Sequence, residues 1–177
     1  MICEFNKDIV QKALFFASIK HGEQKMGRPP KQIPYVTHFC GVALNVINFA
    51  SCEQVDKTFM LTLALLHDTL EDTITTHEEL VQEFGVRVAD GVKALSRNPE
   101  LPLEKQIPDC VERIKGQPKE VAIVKMADRL INIRKRFSGW TKEKQDAYKI
   151  EAQFICDELG YVSKNLKQAL QEAINKY

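Results

Sequence analysis

Four side chains of types that bind metal ions lie in apolar helical stretches of this sequence: His38, His67, Asp68 and Asp128. A polar group in such a stretch needs a partner once it is buried. Two imidazoles and two carboxylates drawn from three helices can converge on one divalent cation, and this donor set suits Mn, Fe, Zn or Mg better than a thiolate-preferring metal. Each residue alone can be interpreted more simply, for example as a hydrogen-bonded core histidine or as an Asp128–Arg129 ion pair. Together they predict a metal site.

Two further carboxylates, Glu71 and Asp72, follow within about one helical turn. Glu71 stands four residues after His67, and Asp72 four residues after Asp68, so each pair would share a helix face. Carboxylates near the C-terminal end of a helix oppose its dipole, which indicates a role beyond starting the next turn. Beside a metal-activated water, one carboxylate can position or deprotonate the water while the other protonates a leaving oxygen. The pattern favours hydrolysis of a phosphate ester.

The elements that must position these residues are predicted to be helices. Apolar residues recur with helical spacing along most of the chain, and no convincing run of alternating β-branched residues appears. Asn6 or Asp8 is suited to cap the first helix, and Thr76 to cap a later one. The predicted helices span about 6–20, 37–50, 56–70, 76–85, 87–95, 109–116, 118–136, 141–159 and 161–175, with proline-rich loops over 22–34 and 96–108. The prediction is an all-α helical bundle formed by a single domain over residues 1–177.

Composition narrows the function classes. The 177 residues include 25 basic and 24 acidic side chains, a balance that argues against a general nucleic-acid-binding protein. No apolar run reaches the ~20 residues of a membrane span, and the N-terminal segment lacks the apolar core of a signal peptide. The five cysteines form no CxxC pair, which excludes a thiolate zinc site and a disulfide framework. We therefore expect a cytoplasmic protein with reduced thiols that acts on a small molecule, without nucleic-acid or membrane partners.

Three segments carry a resemblance to a known family: PYVTHFCGVA (34–43), LALLHDTLEDT (63–73) and VKMADRLINI (124–133). In this order they resemble the hydrolase domain of RelA/SpoT-type alarmone enzymes, which belong to the HD-domain phosphohydrolase superfamily. The similarity is greatest to the small stand-alone hydrolases of the metazoan SpoT homologue type. The HD pair alone is a weak signal, whereas HDTLEDT with both flanking motifs is specific.

The resemblance implies an all-α HD-domain fold in which the four residues of the predicted metal site bind one Mn²⁺. It implies that Glu71 and Asp72 are the catalytic carboxylates. The reaction it implies is removal of the 3′-pyrophosphate from guanosine tetra- or pentaphosphate, which gives GDP or GTP and ends alarmone signalling in the stringent response. A chain of 177 residues has no room for a synthetase domain, so only the hydrolase activity is expected.

The resemblance also implies substrate-binding residues. The basic loop with Lys25, Arg28 and Lys31 resembles the family segment that contacts the phosphates of the substrate, although a solvated position suits Lys31 better than such a contact. An arginine fork binds phosphate better than a lysine does.

The nucleoside would be bound by residues nearer the C-terminus. Asn132 matches the asparagine of the family's D-R-L-x-N motif and would hydrogen-bond the nucleoside. Trp140 and Tyr148 resemble a W-x7-Y stretch in which the tyrosine contacts the nucleotide, with Trp140 a packing residue. Lys144 lies one turn before Tyr148 and would face the same pocket.

Three departures from the family pattern keep further functions open. Phe39 and Cys40 follow His38 where the family usually has a proline, the loop 22–34 is longer than usual, and Ile131 replaces a common histidine or tyrosine. The sequence therefore also allows an HD phosphohydrolase for another phosphorylated nucleotide, such as NADPH or a nucleoside monophosphate. A catalytically silent nucleotide sensor is a third hypothesis, although it would not need both carboxylates of the HDTLEDT block.

Overall fold

The computed structural model describes residues 5–27, 32–50, 54–135 and 140–177, and most of them are helical. The helices are α1 (Lys7–His21), α2 (Val36–Ala50), α3 (Lys57–Leu66), α4 (Thr69–Asp72), α5 (His77–Phe84), α6 (Val86–Leu95), α7 (Leu103–Lys115), α8 (Lys119–Arg134), α9 (Lys142–Leu159) and α10 (Lys164–Lys176), with a 3₁₀ turn at Gly160–Val162. The all-α prediction is confirmed. None of the helices in these ranges combines the length and the apolar character that crossing a membrane requires.

Two helices, α3 and α8, form the centre of the fold. Every residue from Phe59 to Leu66 in α3 is buried, and so is every residue from Glu120 to Leu130 in α8. Helices that are buried all round belong to the core, and the remaining helices pack around these two. His67 follows α3 directly and Asp128 lies in α8, so two predicted metal ligands are carried by the innermost elements.

Helix α2 approaches α8 closely at Gly41. A Cβ atom at this position would lie 2.9 Å from Cδ1 of Ile131, which is closer than real Cβ contacts come. The missing side chain lets the two helices meet next to His38 and Asp128. Ile131, where the family pattern has a polar residue, fills this helix–helix contact.

The predicted helix 56–70 is interrupted at His67 and Asp68, which form a turn between α3 and α4. The cause is competition by side chains for backbone carbonyls. The Nδ1–H group of His67 donates to the carbonyl oxygen of Ala64 (2.9 Å), and the hydroxyl of Thr69 donates to that of Leu66 (2.7 Å). The spacing of apolar residues carries no information about these side-chain hydrogen bonds. The sequence therefore predicts an uninterrupted helix over 56–70.

Two of the predicted loops contain regular structure. Helix α7 begins at Leu103, inside the predicted loop 96–108, and includes Pro108. Pro108 costs one helical hydrogen bond near the start of the helix, but the apolar face with buried Ile107 and Val111 keeps this turn helical. Within the predicted loop 22–34, the strands β1 (Lys25–Met26) and β2 (Ile33–Pro34) pair antiparallel. A strand of two residues is too short to show an alternation of apolar and polar side chains, so the sequence does not predict it.

The start of α3 is fixed by Asp56, which links three helices. Its carboxylate accepts a hydrogen bond from the backbone N–H of Phe59 (3.0 Å) and pairs with Arg87 of α6 (2.6 Å). Its own N–H donates to Glu120 of α8 (2.7 Å). Partial burial opposes ionisation, but the hydrogen bonds from Phe59 and Arg87 outweigh it, so the pKa of Asp56 is lowered.

We expect Asp56→Ala to lower the free energy of unfolding by about 1–2 kcal/mol, because the N-cap acceptor is lost. Asp56→Asn keeps an acceptor and should cost less. The pKa of Asp56 in the folded state lies below its unfolded value of about 3.9. The charge of Asp56 therefore adds to the free energy of unfolding above about pH 3.9, and this stabilisation is lost as the pH falls through the folded-state pKa. Urea unfolding between pH 7 and pH 3 measures this. A gap between wild type and Asp56→Asn that stays constant over this range would contradict it.

Candidate metal centre

The four predicted metal ligands converge at one point between α2, the α3–α4 turn and α8. The Nε2 atom of His38 lies 3.2 Å from Nε2 of His67, 3.2 Å from Oδ2 of Asp68 and 3.2 Å from Oδ1 of Asp128. The Nε2 atom of His67 lies 2.9 Å from Asp68 Oδ2 and 3.7 Å from Asp128 Oδ1. His38, His67 and Asp128 are all buried and offer ligand atoms within 4.8 Å of one another. Asp128 therefore pairs with the histidines and not with Arg129.

This donor set fits a divalent cation. The hydrogen bond from His67 Nδ1–H to the carbonyl of Ala64 fixes the tautomer in which Nε2 carries the lone pair, the arrangement found in metal-binding histidines. Two imidazole nitrogens that face each other at 3.2 Å are favourable only with a proton or a cation between them. Two nitrogens and two carboxylates suit a cation of intermediate hardness.

The electrostatics of the cluster lead to the same conclusion. Burial opposes the charged form of each of the four groups, but the neighbouring charges outweigh it. Asp68 and Asp128 raise the pKa of His67 to about 10 and also raise the pKa of His38. The imidazoles hold the pKa of both carboxyl groups below the usual range. The cluster thus requires positive charge at its centre, and a divalent cation that supplies it would release protons on binding.

A second layer of hydrogen bonds orients the carboxylates. The hydroxyl of Tyr35 donates to Oδ2 of Asp68 (2.6 Å) and lies 3.0 Å from Oδ2 of Asp72. The amide nitrogen of Asn132 donates to Oδ1 of Asp128 (2.6 Å). The ring of Tyr35 is stacked on that of His21, with 4.5 Å between the centroids. These contacts fix the positions of both aspartate ligands.

The metal centre opens into a cavity of about 330 Å³. Among the described residues, its walls carry four carboxylates (Asp68, Glu71, Asp72 and Asp128) and two cationic side chains (Arg97 and Lys125), and they also include Asn132. The two predicted catalytic carboxylates are thus placed beside the metal ligands.

The two carboxylates are held differently. Oε2 of Glu71 accepts a hydrogen bond from the backbone N–H of Arg97 (2.9 Å). Asp72 shares the hydroxyl of Tyr35 with Asp68. Burial and the nearby charge of Asp68 raise the pKa of Asp72. Asp72 therefore keeps a proton to higher pH than an ordinary aspartate.

The remaining predicted substrate contacts lie further out. Lys25 is exposed in β1, whereas its neighbour Met26 lines the cavity. The ammonium group of Lys144 lies 4.5 Å from the centre of the Trp140 ring, and the ring of Tyr148 packs on Arg129. Within the described ranges the cavity wall includes none of Lys25, Lys144 and Tyr148.

The predicted contacts of Arg28 and Lys31 lie outside the described residues.

Among the described residues that line the cavity, sequence reasoning missed three with polar side chains: Tyr35, Arg97 and Lys125. Tyr35 stands inside the first motif, three residues before His38. This spacing could have indicated that Tyr35 lies near the predicted metal ligand. Lys125 is a cation in an apolar run, three residues before Asp128 and hence on the same helix face. Arg97 follows α6 in a polar segment and carries no signal in the sequence.

We expect Tyr35→Phe to weaken the affinity for Mn²⁺ by about 10–100-fold, the usual effect of removing a partner of a metal ligand. The ring remains stacked on His21, so the fold should be retained. Titration of the metal-free protein with Mn²⁺, followed by calorimetry, measures the change. Tyr161→Phe, at an exposed position in the 3₁₀ turn, is the matched control. Equal affinities for Tyr35→Phe and Tyr161→Phe would contradict an orienting role of the hydroxyl.

Comparisons with known proteins show the family to which this chain belongs. The HD-domain family model matches residues 13–160. The chain is 33% identical over 144 residues to guanosine-3′,5′-bis(diphosphate) 3′-pyrophosphohydrolase MESH1 of Xenopus tropicalis, covering 79% of this chain and 78% of that protein. It is 28% identical over 165 residues to MESH1 of Drosophila melanogaster, covering 91% and 90%. A solved structure of a metazoan ortholog of SpoT that hydrolyzes ppGpp and plays a role in starvation responses matches with a TM-score of 0.83 and 26% identity over 98% of both chains. The predicted resemblance is confirmed, and the chain belongs to the HD-domain family.

Proposed function

We propose that this protein is a metal-dependent 3′-pyrophosphohydrolase that converts guanosine 3′,5′-bis(diphosphate) to GDP and pyrophosphate. The observation that carries the proposal is the cavity in which Glu71 and Asp72 stand beside the two-histidine, two-aspartate cluster. The relatives from Xenopus and Drosophila, which bear this activity in their names, support the choice of substrate.

The reaction needs one base and one acid, and the two carboxylates supply them. The oxygen of a water molecule adds to the phosphorus bonded to the ribose 3′ oxygen, and the bond between that phosphorus and the 3′ oxygen breaks. One carboxylate takes a proton from the water and the other returns a proton to the 3′ oxygen. Oε1 of Glu71 remains available for this, because the backbone N–H of Arg97 binds Oε2. Asp72 is suited to proton transfer because burial and the nearby charge of Asp68 raise its pKa above that of an ordinary aspartate.

The metal we propose is Mn²⁺, held by His38, His67, Asp68 and Asp128. When bound, it supplies a Lewis acid that polarises the phosphoryl group. Tyr35 and Asn132 keep the two aspartates oriented towards it through the hydrogen bonds described above.

A cytoplasmic location is part of the proposal. Cys40, Cys110 and Cys156, the cysteines within the described ranges, are free thiols, which is typical of a reducing compartment. The substrate is a small nucleotide, and the proposal requires no nucleic-acid partner.

The reaction itself gives the first prediction of this proposal. Metal-stripped protein should leave guanosine 3′,5′-bis(diphosphate) intact, and addition of Mn²⁺ should yield GDP and pyrophosphate in equal amounts, separated by chromatography. Release of orthophosphate alone from a panel of nucleotides, NADPH included, would replace the proposed substrate with another phosphorylated nucleotide. Failure to bind any divalent cation would overturn the metal centre itself.

The carboxylates give a second prediction. Glu71→Gln and Asp72→Asn should each reduce kcat by about 10²–10⁴-fold, because a proton-transferring group is lost, while binding of Mn²⁺ is retained. The matched control is Glu78→Gln on the exposed side of α5, which should keep full activity. Amide variants as active as the wild-type protein would contradict the catalytic role. Amide variants and wild type that all bind the nucleotide without turnover would favour the sensor hypothesis.

A further inference from the structure

The cavity wall and the proposed substrate both carry negative charge, so they would repel each other. The inference drawn from this rests on the proposed function. In the part of the wall that the structure describes, four carboxylates line the cavity, and one divalent cation offsets only part of their charge. A nucleotide with two diphosphate groups brings several further negative charges. Cationic side chains in the wall must therefore bind phosphate oxygens, and the described part of the wall offers Arg97 and Lys125.

Lys125 is buried and hydrogen-bonded within the protein. It is 6% exposed, and its ammonium group donates to the backbone carbonyl of Leu95 (3.1 Å) at the end of α6. This hydrogen bond occupies one of the three N–H donors of the ammonium group and joins α8 to α6. Because the side chain is almost fully buried, it offers a phosphate fewer donors than an exposed guanidinium does.

Arg97 is placed differently. Its side chain is 34% exposed, and Nε lies 3.6 Å from Oε1 of Glu71, which is too long for a hydrogen bond. Within the described ranges the guanidinium group donates no hydrogen bond, so all five of its N–H donors are available. A planar fork of this kind binds phosphate through paired hydrogen bonds.

The backbone of Arg97 is held firmly. The last carbonyls of α6 and its C-cap are bound by cations from the helices behind it: Arg113 of α7 donates to Lys93, Ala94 and Ser96, and Lys125 donates to Leu95. Cations at this end of a helix also interact favourably with its dipole.

The residue that follows this capped end is the one that binds the catalytic carboxylate. The N–H of Arg97 donates to Glu71 Oε2. The guanidinium thus extends into the cavity from a fixed Cα position next to Glu71.

We propose that Arg97 binds the terminal phosphate of the 3′-diphosphate and thereby selects substrates that carry a diphosphate at this position. Glu71 serves the phosphorus that reacts in the proposed function, and the Arg97 guanidinium lies in the same cavity wall, with Nε 3.6 Å from the Glu71 carboxylate. The phosphate within its reach is therefore the one bonded to the reacting phosphorus. The substrate replaces the long contact with Glu71 by paired hydrogen bonds to the guanidinium.

The first test is a titration of the Mn²⁺-loaded protein with inorganic pyrophosphate and with orthophosphate, by calorimetry. Arg97→Ala should weaken pyrophosphate binding about tenfold or more, because charge-assisted hydrogen bonds are lost, and should change orthophosphate binding by less than about twofold. Arg97→Lys should recover part of the affinity. Since Ala and Lys both keep the backbone N–H, Glu71 remains anchored in each variant.

The second test is kinetic. Arg97→Ala should raise KM for guanosine 3′,5′-bis(diphosphate) about tenfold, with a smaller effect on kcat. Arg87→Ala is the matched control, because it removes another half-exposed arginine that pairs with a carboxylate, Asp56, outside the cavity. It should leave KM and pyrophosphate binding unchanged.

The outcomes are distinguishable. Unchanged pyrophosphate affinity in Arg97→Ala, with a loss confined to kcat, would overturn the proposal and leave Arg97 as a positioning residue for Glu71. If the wild-type protein does not hydrolyse the guanosine nucleotide, the proposed function fails, and the pyrophosphate titration still decides the role of Arg97.

Discussion

The structure depends on the burial of two imidazoles and two carboxylates at one point between α2, α3 and α8. Burying ionisable groups is costly unless each is paired and hydrogen-bonded. Here the rings and carboxylates pair with one another, and Tyr35 and Asn132 donate to the same carboxylate oxygens that the imidazoles contact. The cluster demands positive charge at its centre, which is the property that lets it bind a divalent cation. The innermost helix α8 carries Asp128, and His67 directly follows the other innermost helix, α3, so the core holds these groups close to His38 of α2.

The hydroxyl of Tyr35 connects Asp68 of the metal centre with Asp72. It has one proton and two carboxylate neighbours, Asp68 at 2.6 Å and Asp72 at 3.0 Å. A change in the charge of one carboxylate therefore alters the hydrogen bond available to the other. In the proposed function, this shared hydroxyl would couple binding of a cation at Asp68 to proton transfer at Asp72.

Much of this arrangement could be predicted from the sequence, because His and Asp side chains in apolar helical segments must find partners once they are buried. The break at His67 and Asp68 could not, since it arises from hydrogen bonds of the side chains to nearby carbonyls. Helix α7 could be predicted only in part, because packing of its apolar face outweighs the effect of Pro108.

The residues that surround the metal centre were harder to predict than the ligands. Arg97 is brought to the cavity by contacts between α6, α7 and α8, which are distant in the sequence. Lys144 and Tyr148 share a helix, as expected, but Lys144 lies against Trp140 and Tyr148 against Arg129. Motif spacing identifies the ligands of a site better than the groups that reach it across the fold.

The capped end of α6 marks a boundary between the hydrogen-bonded residues Ser96 and Arg97 and the segment 98–102 that follows them. The anchoring hydrogen bonds end at Ser96 and Arg97, and the segment from 98 to 102 that follows connects to α7 outside that network. Substitutions in this segment are therefore expected to leave the Arg97 backbone and its hydrogen bond to Glu71 in place. The connection between α6 and α7 can thus change its composition while the Cα position from which the guanidinium extends stays fixed.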